Sequence, residues 1–115
     1  MIGIDLVSIG RIEKFIARFG DKGLAKFLSP GEIALVKSPK TAAGFWAVKE
    51  AVAKALGCGI GAELAFHDII ITKTSKNAPL ARLSEKAANR HGITDIAVSI
   101  THDDGFAAAV AFIKK

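Results

Sequence analysis

The segment from Ala42 to Leu56 constrains the fold more than any other, because it is apolar on nearly every side. Its larger apolar side chains are Phe45, Trp46, Val48, Val52 and Leu56, with alanines between them. A helix that is apolar all round is normally buried rather than laid on a surface. The segment therefore predicts a helix enclosed by the rest of the chain and ending at Gly57.

Only three charged residues interrupt this helix: Lys49, Glu50 and Lys54. Glu50 and Lys54 are four residues apart, so they share one face of the helix. An ordinary surface ion pair would account for these two residues. It would leave unexplained why the flanks of the helix are apolar and why Lys49 lies directly beside Glu50.

A second charge in apolar surroundings is Asp5, within the predicted strand Met1 to Val7. A buried carboxylate is costly unless it is paired or bound to a metal. The alternative is a strand end, with Asp5 near solvent or bonded to amides at the next helix start. If Asp5 and Glu50 meet, they would supply oxygen ligands to a hard cation such as magnesium. Lys49 and Lys54 would then contact substrate phosphates.

Helices are predicted mainly in the first half of the chain and strands mainly in the second. Ser8 can cap a helix that stops at Gly20, and Ser29, Pro30 and Glu32 form the start signal of another. The later elements are strands 66–74 and 80–83, a helix 84–92, and strands 96–101 and 106–113. We predict one α+β domain over residues 1–115, with helices packed on a mainly antiparallel sheet.

Charge and cysteine content limit the classes of function. The net charge of +5 and pI near 9.6 indicate an anionic partner but do not identify it. A single cysteine, Cys58, excludes an internal disulfide and favours a reducing cytoplasmic setting. The chain has no stretch of about 20 apolar residues, and its apolar start lacks the other features of a signal peptide. We therefore expect a soluble, cytoplasmic protein.

Three blocks of sequence together resemble the holo-acyl-carrier-protein synthase family of phosphopantetheinyl transferases. They are Ile2-Gly3-Ile4-Asp5, then Trp46-Ala47-Val48-Lys49-Glu50-Ala51-Val52-Ala53-Lys54-Ala55, and Val98-Ser99-Ile100-Thr101-His102. The central block is followed by Leu56-Gly57-Cys58-Gly59-Ile60-Gly61, and the order and separation of all blocks match the family. The resemblance covers essentially the full chain.

The resemblance implies a magnesium enzyme that transfers 4'-phosphopantetheine from coenzyme A to a serine of acyl carrier protein, in fatty acid biosynthesis. It also implies a homotrimer with active sites at subunit interfaces. Carried over residue by residue, it makes Asp5 and Glu50 the metal ligands, and Glu50 and Lys54 the catalytic residues. Lys49, Lys54, Gly57 and His102 would contact coenzyme A.

A basic stripe on the first helix is the predicted docking surface for the carrier protein. Arg11, Lys14 and Arg18 lie three and four residues apart, beside the apolar positions of that helix. A solvated face would explain the same pattern. Acyl carrier proteins are acidic, however, so the resemblance favours docking by electrostatic steering.

The sequence departs from the family pattern at Gly44 and Phe45, where relatives often carry basic residues. A contact to a coenzyme A phosphate is therefore expected to be missing, and Lys37 or Lys40 could replace it, although both also fit solvated loop positions. His67, His91 and Cys58 are expected to be structural. His102 stands out through its motif, although polar packing at a strand end would also explain it.

Two other classes of function remain to be compared with the structure. The positive charge permits a small nucleic-acid-binding module, but the chain has no tyrosine and its one tryptophan lies inside the apolar helix. A purely structural oligomer subunit would place Asp5 and Glu50 far apart.

Overall fold

A computed structural model describes all residues, 1–115. The helices and strands, in chain order, are β1 (Ile2–Ser8), α1 (Ile9–Ala25), α2 (Pro30–Ile33), α3 (Pro39–Ala55), β2 (Ile69–Lys73), β3 (Pro79–Leu83), α4 (Glu85–His91), β4 (Asp95–Asp103) and β5 (Phe106–Lys114). The strands form two antiparallel sheets, one in the order β1-β5-β4 and one of β2 and β3. The predicted α+β class with antiparallel strands is confirmed. No helix has both the length and the apolar character needed to cross a membrane.

Helix α3 lies on the inner face of the three-stranded sheet and forms the centre of the core. Eleven of its residues are buried, as its apolar composition predicts. The inward residues of β5 are mostly alanines, at positions 107, 109 and 111, which are poor strand formers. Their small side chains allow the helix to lie close to the sheet.

Several element boundaries differ from the prediction for local reasons. Gly20 takes φ 58° and ψ −143°, which are not helical angles, so α1 consists of two helical segments that meet at Gly20. The predicted stop at Gly20 is confirmed, and a short helical segment that ends at Ala25 follows it. The predicted strand 66–74 begins with a 3-10 turn at Phe66–Asp68, where the Asp68 carboxylate accepts a hydrogen bond from the Ala65 amide. The β2–β3 hairpin was predicted correctly but forms a sheet of its own.

The capping signal at Ser29 was also predicted correctly. The Ser29 hydroxyl accepts from the Glu32 amide at 3.3 Å, and a Glu32 carboxylate oxygen accepts from the Ser29 amide at 2.7 Å. This capping box begins α2 and fixes the position of the Glu32 side chain, which is 2 % exposed. A buried carboxylate therefore lies beside α3.

Candidate active site

Strand β1 and helix α3 make a direct backbone contact that brings Asp5 to Glu50. A Cβ atom at Gly3 would overlap the backbone of Ala51 and Ala55, so only glycine permits this approach. Asp5 is two residues further along the same face of β1, and Glu50 is one residue before Ala51. The structure thus joins two carboxylates that are 45 positions apart in sequence, as the sequence predicted.

Asp5 is paired with Lys54 rather than exposed at a strand end. The Lys54 ammonium donates to Asp5 Oδ1 at 2.8 Å, and no hydrogen bond within the chain uses Oδ2. This hydrogen bond is the main cause that raises the pKa of Lys54. The surface pair between Glu50 and Lys54 does not form, because the lysine reaches across to β1 instead.

Glu50 is half-buried and has no hydrogen-bond or ion-pair partner in the chain. Burial raises the pKa of this carboxyl group, the nearby Asp5 raises it further, and the cations of Lys54 and Arg11 oppose the change. A carboxylate held beside a second one gains stability when a cation lies between them. Asp5 and Glu50, with Asp5 Oδ2 free, fit this requirement.

The donor set suits magnesium better than a metal that needs a complete protein cage. No group of three or more His, Cys, Asp or Glu side chains lies together anywhere in the chain. Magnesium commonly takes one or two carboxylates and completes its coordination with water and substrate phosphates. We define the carboxylate cluster as Asp5, Glu50 and Lys54.

Arg11 connects the carboxylate cluster to helix α1. Its guanidinium lies 5.8 Å from the centre of the Trp46 ring, one helical turn before Glu50, and its charge lowers the pKa of Glu50. Ser8 caps α1 by accepting from the Arg11 amide, which fixes the first turn of the helix. The sequence assigned Arg11 to the partner stripe alone, but the structure also places it beside the cluster.

The structure contradicts the predicted contact between Lys49 and a substrate phosphate. Lys49 is completely buried, and its ammonium donates to the Glu32 carboxylate at 2.8 Å and to the Phe66 carbonyl at 3.1 Å. The other Glu32 oxygen accepts from the Ile71 amide at 2.7 Å. Burial lowers the pKa of Lys49, while the bond to Glu32 and its charge oppose this change. Lys49 therefore links α3 to Glu32 of α2, and Glu32 in turn binds the backbone of β2.

The remaining predicted residues lie at the two ends of α3. Gly57 follows its last turn with φ 80°, its amide donates to the Lys54 carbonyl, and the loop 57–61 therefore starts beside the carboxylate cluster. His102 lies near the other end, where its Nε2 is 3.3 Å from the Lys40 carbonyl oxygen and close to Gly44. Within a single chain, His102 does not contact the carboxylate cluster.

All of the basic stripe is exposed, at Arg11, Lys14 and Arg18. Next to it lies Phe19, 40 % exposed, with the Arg18 and Lys26 cations each 5.1 Å from its ring centre. Sequence reasoning missed Phe19 and Lys26 as part of this surface, because the kink at Gly20 is needed to bring Lys26 back to Phe19. We define the α1 surface as Arg11, Lys14, Arg18, Phe19 and Lys26.

The aromatic side chains do not form a base-stacking platform. Phe27, Trp46 and Phe66 pack on one another with ring centres 4.9 to 6.1 Å apart. A nucleic-acid-binding module would instead expose such rings between basic residues. The packing of the rings therefore argues against a nucleic-acid-binding module. The proximity of Asp5 to Glu50 argues against a purely structural subunit, which would keep the two carboxylates apart.

Comparison with known proteins decides the family. The model of the 4'-phosphopantetheinyl transferase superfamily matches residues 1–111. The chain belongs to this superfamily. The phosphopantetheinyl transferase relatives include the holo-[acyl-carrier-protein] synthase of Wolinella succinogenes, which is 59% identical over 115 residues and spans 100% of this chain and 98% of the relative.

Solved phosphopantetheinyl transferase structures have the same fold. The Helicobacter pylori holo-[acyl-carrier-protein] synthase, crystallised in complex with coenzyme A, is 52% identical, with a TM-score of 0.96 over 99% of this chain and 100% of that chain. The Neisseria meningitidis enzyme is 28% identical, with a TM-score of 0.88 over 99% and 97%. The resemblance drawn from the three sequence blocks is confirmed.

Proposed function

We propose that this phosphopantetheinyl transferase moves 4'-phosphopantetheine from coenzyme A to a serine of apo acyl carrier protein, releasing adenosine 3',5'-bisphosphate. The observation that carries the proposal is the carboxylate cluster of Asp5, Glu50 and Lys54, built into a chain of this superfamily. The names of the relatives and the coenzyme A complex of the Helicobacter pylori enzyme support the two substrates.

Asp5 and Glu50 would hold magnesium, and Lys54 would remain beside them as a fixed positive charge. When bound, the ion supplies charge stabilisation to the diphosphate of coenzyme A. Lys54 is already oriented by its bond to Asp5, so its ammonium can meet phosphate oxygens without a large rearrangement. Gly57 would border the coenzyme at the end of α3.

Glu50 would accept the proton of the acceptor serine through an oriented water molecule. The serine oxygen forms a bond to the phosphorus that carries pantetheine, and the bond from that phosphorus to the bisphosphate oxygen breaks. A cation beside Glu50 would keep its carboxylate ionised, so the carboxylate can accept a hydrogen bond from that water. The remaining work of the protein is to position the two reacting groups.

The α1 surface would bind the carrier protein. It combines four exposed cations with an aromatic ring that is 40% exposed, and it starts at Arg11, beside the carboxylate cluster. An acidic helix with an apolar residue would match it in charge and in shape. A carrier bound along α1 would therefore have its serine near Glu50.

Charge reversal of Arg18 tests the docking surface. We expect Arg18→Glu to raise the KM for carrier protein about tenfold or more and to leave coenzyme A binding unchanged, because Arg18 lies away from the cluster. Steady-state kinetics with each substrate varied in turn measures both constants. Arg90→Glu, the same charge change on exposed α4, is the control. An unchanged KM for carrier protein in Arg18→Glu would exclude docking on α1.

A homotrimer is supported by the outer face of the three-stranded sheet. Large apolar side chains are exposed there, at Ile2 (68%), Ile4 (67%), Leu6 (64%), Val110 (37%) and Phe112 (58%). The register aligns Ile2 with Phe112 and Ile4 with Val110, so these side chains form one continuous patch. Patches of this kind are typical of subunit interfaces. Sedimentation should give a trimer for the natural chain and a smaller species for Phe112→Asp.

Three further features complete the proposal. Residues 1–115 act as one domain, because one hydrophobic core joins helices and strands from the whole chain. The reaction takes place in the cytoplasm, which the single unpaired Cys58 favours. Its product serves fatty acid biosynthesis, where holo acyl carrier protein is used.

Intact-protein mass spectrometry tests the reaction directly. The purified chain is incubated with apo acyl carrier protein, coenzyme A and magnesium, with and without a chelator. We expect the carrier to gain one phosphopantetheine group only when free metal is present. If several carriers gain no such group while the enzyme is folded, the proposed function is wrong.

A further inference from the structure

The loop between α3 and β2 consists of an open half and an anchored half. In the open half, 57–61, Gly57 and Gly59 take φ angles of 80° and 65°. A Cβ atom at Gly57, Gly59 or Gly61 would meet no atom within 4 Å other than those of its chain neighbours. Glycines that face open space allow the backbone many conformations. The open half therefore depends on the adjoining residues for a fixed shape.

Leu64 begins the anchored half of the loop. Its side chain is completely buried in the core, and its carbonyl oxygen accepts a hydrogen bond from the Gly61 amide at 2.9 Å. This hydrogen bond closes a tight turn at the end of the open half. The position of residues 63–65 therefore limits the shapes that residues 57–61 can take.

Asp68 holds the anchored half from the start of β2. Its Oδ2 accepts from the Ala65 amide at 3.0 Å, and its Oδ1 accepts from the Ser84 hydroxyl at 3.0 Å. Its backbone carbonyl accepts from the Ser84 amide at 2.7 Å. The bond from the Ala65 amide is the main cause that lowers the pKa of Asp68, so the carboxylate is ionised at neutral pH and accepts both bonds. Asp68 therefore joins the loop to the start of α4.

Helix α4 binds the loop at both of its ends. Ser84 caps its start by accepting from the Ala87 amide at 3.3 Å, and His91 at its end has Nε2 3.2 Å from the Glu63 carbonyl oxygen. A carbonyl oxygen can only accept, so this nitrogen of His91 carries the hydrogen. Ala87 is the one buried residue of α4, so the helix adds little to the core. We define the α4 anchor as Asp68, Ser84 and His91.

We propose that Asp68 and His91 are positioning residues for coenzyme A, which hold the loop 57–65 in the shape that borders the coenzyme. This inference rests on the proposed function, in which Gly57 borders the coenzyme. A loop that must become ordered on binding weakens the affinity, whereas a loop ordered in advance does not. The α4 anchor orders the loop before binding. It therefore strengthens the binding of coenzyme A without forming part of the binding surface.

His91→Leu removes one donor of the α4 anchor and leaves the buried part of the loop intact. The loss should raise the KM for coenzyme A about three- to tenfold and weaken its binding in a calorimetric titration equally. The KM for carrier protein should not change, because no hydrogen bond of the anchor reaches α1. His91→Gln, whose amide can donate to the same carbonyl, should keep most of the affinity. Asn89→Leu, an exposed change on the same helix, is the control and should match the natural chain.

Hydrogen exchange separates positioning from a general loss of stability. In His91→Leu, the bonded amides of Gly59, Gly61 and Ala65 should exchange faster, while those of α3 should exchange as slowly as in the natural chain. Asp68→Ala should give the same pattern with a larger loss of coenzyme A binding, because it removes two accepting oxygens. Asp68→Asn keeps one accepting oxygen and should lie between Asp68→Ala and the natural chain.

Two results would overturn the role of the α4 anchor. The first is faster exchange in the loop, or no change in exchange, together with unchanged binding of coenzyme A. The second is an equal rise in KM for coenzyme A and for carrier protein, since the effect would then not be confined to the loop. Either result leaves the proposed function intact as long as the natural chain transfers phosphopantetheine. If the natural chain binds no coenzyme A and modifies no carrier, both proposals are overturned together.

Discussion

Glu50→Gln is expected to lower turnover with coenzyme A and carrier protein at least a hundredfold while the chain remains folded. Glutamine keeps the size of the side chain but cannot ionise, so it neither accepts the serine proton nor holds magnesium as a carboxylate does. General base catalysis alone is worth about 10²- to 10⁴-fold. Single-turnover transfer followed by mass spectrometry measures the loss.

The same substitution should not weaken the metal-free fold. Since the fold raises the pKa of Glu50, the folded chain holds this proton more tightly than the unfolded chain. The free energy of unfolding therefore falls as pH rises from the ordinary pKa of glutamate through the raised one. Glutamine removes that penalty, so at neutral pH without metal the variant should be at least as stable as the natural chain.

Magnesium should reverse the order of stability. An ion that binds only the folded state raises its stability. Thermal unfolding with and without magnesium should show an increase for the natural chain and little increase for Glu50→Gln or Asp5→Asn. Glu63→Gln, the same change at an exposed position, is the control and should match the natural chain in rate and stability. Undiminished magnesium-dependent turnover in Glu50→Gln would remove Glu50 from the mechanism.

Lys49→Met is expected to destabilise the fold by about 3–5 kcal/mol, the usual effect of removing one partner from a buried ion pair. Glu32 is 2% exposed and would keep only its bonds from backbone amides, with an uncompensated charge. Equilibrium unfolding in urea measures the change. The double variant Glu32→Gln with Lys49→Met removes both charges and should regain part of the loss.

Lys54→Met, on the same helix, is the matched comparison. Lys54 is 52% exposed, so its ion pair with Asp5 should contribute no more than about 1 kcal/mol to stability. We expect Lys54→Met to leave the fold stable and to reduce transfer, the opposite of Lys49→Met. If Lys49→Met were as stable as the natural chain but lost coenzyme A binding, the result would instead support the prediction that Lys49 contacts a substrate phosphate.

The part of the site that sequence predicted is the part in which charges interrupt apolar segments. Asp5 and Glu50 stand out because their neighbours are apolar, and the helix between Ala42 and Leu56 is recognisable from composition alone. Because α3 is apolar on nearly every side, its composition does not show which side faces the core. Lys49 is only one position from Glu50, so the two point about 100° apart, and the buried direction depends on Glu32, 17 residues earlier.

Contacts that depend on packing between elements were not predictable from spacing. A hairpin of strands 66–74 and 80–83 was predicted, but its placement over Phe45, and so the position of Lys73, follows from tertiary packing. The kink at Gly20 is a similar case, because a glycine after an amphipathic segment usually marks a helix end. Gly20 does end the first helical segment, but the direction of the next segment depends on its φ and ψ angles, and Lys26 at the end of that segment lies over the Phe19 ring.

The sheet order has a consequence for synthesis on the ribosome. Strand β1 lies at the edge of its sheet, and its only neighbour is β5, the last strand in chain order. Translation adds about 5–20 residues per second, so β1 waits several seconds for its partner. Until residues 106–114 emerge, Asp5 has no paired strand to fix it, and a nascent chain that already contains α3 cannot assemble the site. Catalytic competence therefore arrives only with the final strand.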